Sequence, residues 1–122
     1  HMKNKESEEM YLETILILKN RKGSVRSVDI VEERGYAKSS VSRAVNLLRK
    51  KGFIDIRDDG EILFTPAGDK RANEVYERHR VLTELLVRLG ADRALAEENA
   101  CRIEHVISPE MFEIVKKFTG EN

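Results

Sequence analysis

The sequence predicts a mostly α-helical chain with one small β-hairpin, organised as a winged helix-turn-helix followed by an α-helical dimerisation lobe. Three observations predict it. Two short helical segments meet across Gly35; two β-branched and aromatic runs joined by Asp58-Asp59-Gly60-Glu61 follow at once; and a long helical stretch after Thr65-Pro66 carries an apolar stripe wider than one small core requires.

Each element has a local cause. From Ser7 to about Asn20 the residues Met10, Tyr11, Leu12, Ile15, Leu16, Ile17 and Leu18 recur with helical spacing, with Ser7 placed to cap the start and Gly23 to end it. Ser27 to Arg34 forms a short helix stopped at Gly35. Ser39 to Lys51 forms the next, with Val41, Ala44, Val45, Leu47 and Leu48 inward and Gly52 at its end. Phe53 to Arg57 and Ile62 to Thr65 are the strands of a hairpin, whose Asp-Gly pair suits a tight turn, and that hairpin is the wing. Thr65-Pro66 opens a helix running to about Leu89, with Ala72, Val75, Tyr76, His79, Leu82, Leu86 and Leu89 along its stripe and Val81 and Leu85 widening it; a second subunit is the expected cover. Two helices follow, Asp92 to about Ile107 and Pro109 to about Phe118, the last closed by Gly120.

Charge balances over the chain at 22 basic and 22 acidic side chains, so any surface for a polyanion must come from local segregation. Between Arg34 and Arg57 there are seven basic residues against Asp55 alone. In the expected recognition helix, Lys38, Ser39, Ser40, Ser42, Arg43, Asn46 and Lys50 are the side chains presented to the major groove of double-stranded DNA. Arg43 sits to donate a parallel pair to guanine, Lys38 and Lys50 to hold phosphates, and the serines to approach the backbone closely. Ser39 also reads as a plain N-cap. No apolar run is long enough to cross a membrane, and the single cysteine, Cys101, fits a reducing compartment, so a cytoplasmic protein is expected.

The run Cys101-Arg102-Ile103-Glu104-His105 carries the chemistry. On a continuous helix, positions i, i+3 and i+4 share a face, which would converge a thiolate, a carboxylate and an imidazole. Met10 and Glu13 share a face of the first helix in the same way, and His79 lies in the stripe of the long one. Taken singly, each of the six has a commoner role, as core filler, solvated charge or hydrogen-bonded histidine. Together they point to a metal site.

The chain resembles the diphtheria-toxin-repressor family of metal-dependent regulators, including its manganese-transport branch. The resemblance rests on Met10-Tyr11-Leu12, Ser40-Val41-Ser42, Leu63-Phe64-Thr65-Pro66-Ala67-Gly68, His79-Arg80 and Cys101-Arg102-Ile103-Glu104-His105-Val106-Ile107-Ser108. It implies a homodimeric repressor of metal-homeostasis genes, not an enzyme, activated by Fe²⁺ or Mn²⁺ and bound to a palindromic operator. Residues 1–68 would form the DNA-binding domain and 69–122 the metal-binding and dimerisation domain. Met10, Cys101, Glu104 and His105 match the iron-type primary site, and Glu13 and His79 match positions used by the manganese branch. Thr83 and Glu97 stand where the iron branch completes an ancillary site, and no SH3-like domain follows within these residues, which reads as a short form. A thioether and a thiolate in place of carboxylates favour Fe²⁺, with Mn²⁺ next, while Zn²⁺, Co²⁺ and Ni²⁺ would bind in vitro. The competing expectation is a metal-independent winged-helix regulator that senses an organic ligand; an enzyme pairing Cys101 with His105 is a remoter one.

Overall fold

A computed structural model describes residues 4–120. Six helices and one hairpin follow in the order α1 (Asn4–Lys22), α2 (Ser27–Arg34), α3 (Lys38–Lys50), β1 (Ile54–Ile56), β2 (Ile62–Phe64), α4 (Pro66–Arg88), α5 (Arg93–Ile103) and α6 (Pro109–Thr119). The described residues fall into two compact units, divided within α4 between Asn73 and Glu74.

In the first unit the core gathers Leu12 and Ile15 from α1, Ile30 from α2, Val41, Val45 and Leu48 from α3, Ile54 and Ile62 from the hairpin, and Ala72. Burying a side chain of this size stabilises by about 1.5–3 kcal/mol, so these contacts hold the helix-turn-helix on α1. The α1 helix begins upstream of Ser7, which therefore lies inside it and caps nothing, a correction to the expectation from sequence. Gly23 does end it, at φ +91 with its N–H on the Lys19 carbonyl at 2.9 Å. All residues from Glu8 to Leu16 are buried, the polar Glu8, Glu9, Glu13 and Thr14 among them. The buried Glu8 is matched by Arg71 at 3.1 Å and by an ion pair with Lys51.

The start of α2 is fixed by reciprocal bonds. Asp29 Oδ2 accepts from the Arg26 N–H at 2.8 Å, and the Asp29 N–H donates to the Arg26 carbonyl at 3.0 Å. Lys22 also donates to Asp29. That bond, followed by the one from Arg26, holds the Asp29 carboxyl below its ordinary value. A depressed folded-state pKa means the stabilisation is present above the ordinary carboxyl range and lost as pH falls through the depressed value. Asp29→Ala is therefore expected to cost about 1 kcal/mol in urea unfolding at pH 7, with the difference from wild type closing in acid. A difference that stayed constant with pH would show that the carboxylate charge is not its source.

The α3 helix starts at Lys38 with Ala37 at the N-cap, so Ser39 is not the cap. Val41, Val45 and Leu48 are buried and Ala44 half-buried, but Leu47, expected inward, is 44% exposed. Five apolar positions in thirteen residues exceed what the inner face of one helix holds.

The hairpin pairs Ile54 with Phe64, Asp55 with Leu63 and Ile56 with Ile62. Its loop turns through Asp58, Asp59 and Gly60: the Gly60 N–H bonds to the Arg57 carbonyl at 2.9 Å, and Gly60 adopts φ +91. Two further ties reach back to the chain before α2. The Ile62 N–H donates to the Val25 carbonyl at 2.8 Å, and the Arg26 guanidinium meets Asp59 through its carbonyl at 3.0 Å and carboxylate at 3.2 Å.

Thr65 caps α4, accepting from the Gly68 N–H at 3.1 Å while its hydroxyl donates to the Gly52 carbonyl at 2.6 Å. In the second unit Val81 and Leu82 of α4, Ala100 of α5, and Phe112 and Val115 of α6 form a small core. Asp92 caps α5 and Ser108 caps α6, each accepting from the N–H three residues on, at 2.8 and 3.1 Å. The α5 helix stops at Ile103, four residues short of expectation. Glu104 to Val106 instead form a turn in which the N–H groups of Val106 and Ile107 both reach the Ile103 carbonyl, at 3.0 Å each.

Candidate metal centre and nucleic-acid interface

His79, Cys101 and Glu104 converge. His79 projects from α4, Cys101 from the last turn of α5, and Glu104 from the C-cap of α5. One ligand atom from each lies within 4.8 Å of the other two. His79 Nδ1 and Glu104 Oε1 are hydrogen-bonded at 2.8 Å, and Cys101 Sγ is 3.7 Å from the same nitrogen. With metal–ligand bonds of about 2.0–2.3 Å, the donors of one ion lie roughly 3–4 Å apart, so small adjustments bring the three around a divalent cation. The donor set of imidazole, thiolate and carboxylate suits a borderline transition metal.

The surroundings hold this geometry. The Glu104 side chain is fully buried, and its backbone carbonyl accepts from Arg78 Nε at 2.7 Å. Thus α4 supplies one donor, His79, and, one residue earlier, a clamp on the turn carrying another. Sequence reasoning misses Arg78, because a side chain that bonds a carbonyl across 26 residues leaves no periodic signal. His105 stands just outside the group of three, its Nε2 3.4 Å from Glu104 Oε2. Cys101 and Glu104 do converge as i, i+3 spacing leads one to expect, Glu104 being the helical C-cap with its N–H on the Ala100 carbonyl at 2.9 Å. The expectation that His105 shares a continuous helix with them is corrected: it falls in the turn beyond. Met10 and Glu13 lie on α1 in the first unit, both buried, and the Thr14 hydroxyl donates to the Met10 carbonyl at 2.8 Å with the Met10 sulfur 3.7 Å away. Thr83, buried, donates its hydroxyl to the His79 carbonyl at 2.7 Å.

On α3 the expected DNA-facing residues are where helical spacing puts them. Ser39, Arg43, Asn46 and Lys50 run along the outward ridge, Lys38 and Ser42 lie on one flank, and the half-buried Ser40 lies on the other. Among the described residues Lys38, Arg43 and Lys50 make no ion pair or hydrogen bond. Asn46 is less available, its amide N–H donating to the Ser42 carbonyl at 3.0 Å and its Oδ1 accepting from Arg49 at 3.4 Å. Lys51, by contrast, is committed to Glu8.

A winged helix-turn-helix in one chain with three side chains that could hold a cation is the combination expected of a metal-responsive DNA-binding regulator. Family models match almost end to end: the iron-dependent repressor N-terminal DNA-binding domain over residues 4–61, and the iron-dependent repressor metal-binding and dimerisation domain over residues 65–122. The chain belongs to the iron-dependent repressor family of metal-dependent transcriptional repressors. It is 30% identical over 112 residues to the transcriptional regulator MntR of Salmonella typhimurium, covering 92% of this chain and 71% of that one. It is 32% identical over 104 residues to the diphtheria toxin repressor of Corynebacterium diphtheriae, covering 84% of this chain and 46% of that one. Among solved structures, T. acidophilum IdeR superimposes with a TM-score of 0.77 at 25% identity, covering 98% of this chain and 55% of that one. A metal-independent regulator is not favoured.

Proposed function

We propose that the chain is a homodimeric repressor whose binding to a palindromic operator is switched on by a divalent ion at His79, Cys101 and Glu104, with Fe²⁺ favoured and Mn²⁺ next. The observation that carries this is the convergence of the three donors within 4.8 Å. Ion chemistry there amounts to neutralising the carboxylate and thiolate and linking α4 to the turn after α5. Ligation through His79 Nδ1 would replace its 2.8 Å hydrogen bond to Glu104, whereas ligation through Nε2 would keep that bond as the support of the ring. Preferential ion binding to the DNA-competent conformation shifts the population towards it, and DNA must tighten ion binding by the same factor. The Cys101 thiolate is the reason for preferring Fe²⁺ over Mn²⁺, which is better served by oxygen donors; Zn²⁺, Co²⁺ and Ni²⁺ would also bind in vitro. Met10, Glu13 and His105 are the further ligands that the family resemblance implies.

DNA reading falls to α3. Arg43 would donate to guanine O6 and N7, while Lys38 and Lys50 hold phosphates and Ser39, Ser40, Ser42 and Asn46 make short contacts beside them. An open apolar depression of about 280 Å³ between Leu85 of α4, Leu89 just beyond its end, and Met111, Ile114 and Phe118 of α6 supports a second copy as the cover of this face. Among the described residues no helix is long and apolar enough to cross a membrane. A lone thiol in a ligand set fits a cytoplasmic regulator, and we assign Cys101 no catalytic role.

The test is an anaerobic titration of chelator-stripped protein with Fe²⁺ and with Mn²⁺. One or two ions per chain are expected for wild type, and a loss of at least one in Cys101→Ala. The same titration on Met10→Leu, Glu13→Gln and His105→Ala decides the additional ligands. Absence of ion binding by wild type would overturn the proposal.

A further inference from the structure

Leu47 breaks the pattern of its helix. The other large apolar residues of α3 are 0–2% exposed, whereas Leu47 is 44% exposed, in the middle of the most basic stretch of the chain. It stands four residues after Arg43 and seven after Ser40, so the three side chains line one edge of the outward face. A leucine there adds nothing to the core, and the major groove offers one apolar group with sequence meaning, the 5-methyl of thymine. Four residues of α-helix advance roughly 6 Å, close to the spacing of two base pairs.

We propose that Leu47 is a specificity-determining residue that packs on a thymine methyl about two base pairs from the guanine read by Arg43. This rests on the placement of α3 in the major groove proposed above. The pair reads complementary chemistry: Arg43 takes the polar edge of a purine, and Leu47 takes the methyl of a neighbouring pyrimidine. Covering a methyl group with exposed leucine surface removes both from water, and the gain is lost when either partner is cut back.

The experiment uses duplexes selected from a random library by the Mn²⁺-loaded wild-type chain. Each thymine of the selected half-site is replaced in turn by uracil, which removes only the methyl. For wild type, one uracil position is expected to weaken binding about fourfold, the change that accompanies loss of one buried methyl group. For Leu47→Ala the same substitution is expected to have no effect, and selection with that variant is expected to relax at that position while the guanine stays fixed. Because Leu47 is outside the core, the variant should melt with wild type, which circular dichroism checks. Equal uracil effects in wild type and variant would overturn the inference while leaving α3 in the groove. Failure of wild type to select any duplex would overturn the groove placement and this inference with it.

Discussion

Glu104→Gln is expected to abolish metal activation while leaving the fold in place. The Glu104 side chain is fully buried, with Oε1 2.8 Å from the His79 imidazole. Glutamine has nearly the same volume, and its amide oxygen accepts the same hydrogen bond, so unfolding free energy should stay within about 1 kcal/mol of wild type. It brings no anionic donor. Metal affinity should therefore fall by more than the ~10–100-fold typical of losing a group that merely orients a ligand. Isothermal titration with Mn²⁺ and Co²⁺, alongside urea unfolding of the apo-protein, reads both quantities. Intact metal binding would remove Glu104 from the ligand set, and joint loss of folding and binding would make its role structural.

Gly68→Ala is expected to be the most damaging single-methyl change in the first unit. A Cβ at this position would lie 1.8 Å from the carbonyl oxygen of Phe53 and 2.7 Å from its carbonyl carbon. Both are backbone atoms, held because the Thr65 N–H bonds to that carbonyl at 3.1 Å and the Thr65 hydroxyl to Gly52. Neither a rotamer change nor a side-chain shift relieves the clash; the first turn of α4 must lift away from the start of the wing. We expect a loss of about 3 kcal/mol or more, read as a drop in melting temperature, against the 1–3 kcal/mol usual for overpacking. Gly68→Ser should be as bad or worse. An unchanged melting temperature would mean that α4 docks less tightly than the geometry shows.

Those same contacts explain why Thr65-Pro66-Ala67-Gly68 stands out as a motif in the sequence: the threonine caps, the proline starts the helix, and the glycine admits the neighbouring backbone. Signals of this kind are legible because they act over three or four residues. Gly23, Gly35, Gly60 and Gly120 all take positive φ where the sequence places helix ends or the hairpin turn. The expectations that fail share a different origin. Ser7 has the chemistry of an N-cap, yet continued helix upstream removes the unsatisfied N–H groups that it would serve. Leu47 has the hydrophobicity of a core residue, but the inner face of α3 is already filled by Val41, Val45 and Leu48. No glycine or proline within Cys101 to His105 marks where α5 ends, and the Arg78 bond to the Glu104 carbonyl that holds the turn leaves no trace in the local pattern. The candidate site is legible as residue types and, for Cys101 and Glu104, as i, i+3 spacing; that His79 joins them from another helix is a matter of tertiary structure.

The ties from Val25 and Arg26 to the wing bear on how the first unit spends its freedom. Two strands of three residues make a hairpin that, alone in water, would populate many shapes. Here the Ile62 amide and the Asp59 loop are pinned to the residues that start α2, so the wing has surrendered its conformational entropy during folding. A wing already ordered loses little on meeting a partner surface, and contacts made there count almost in full towards affinity.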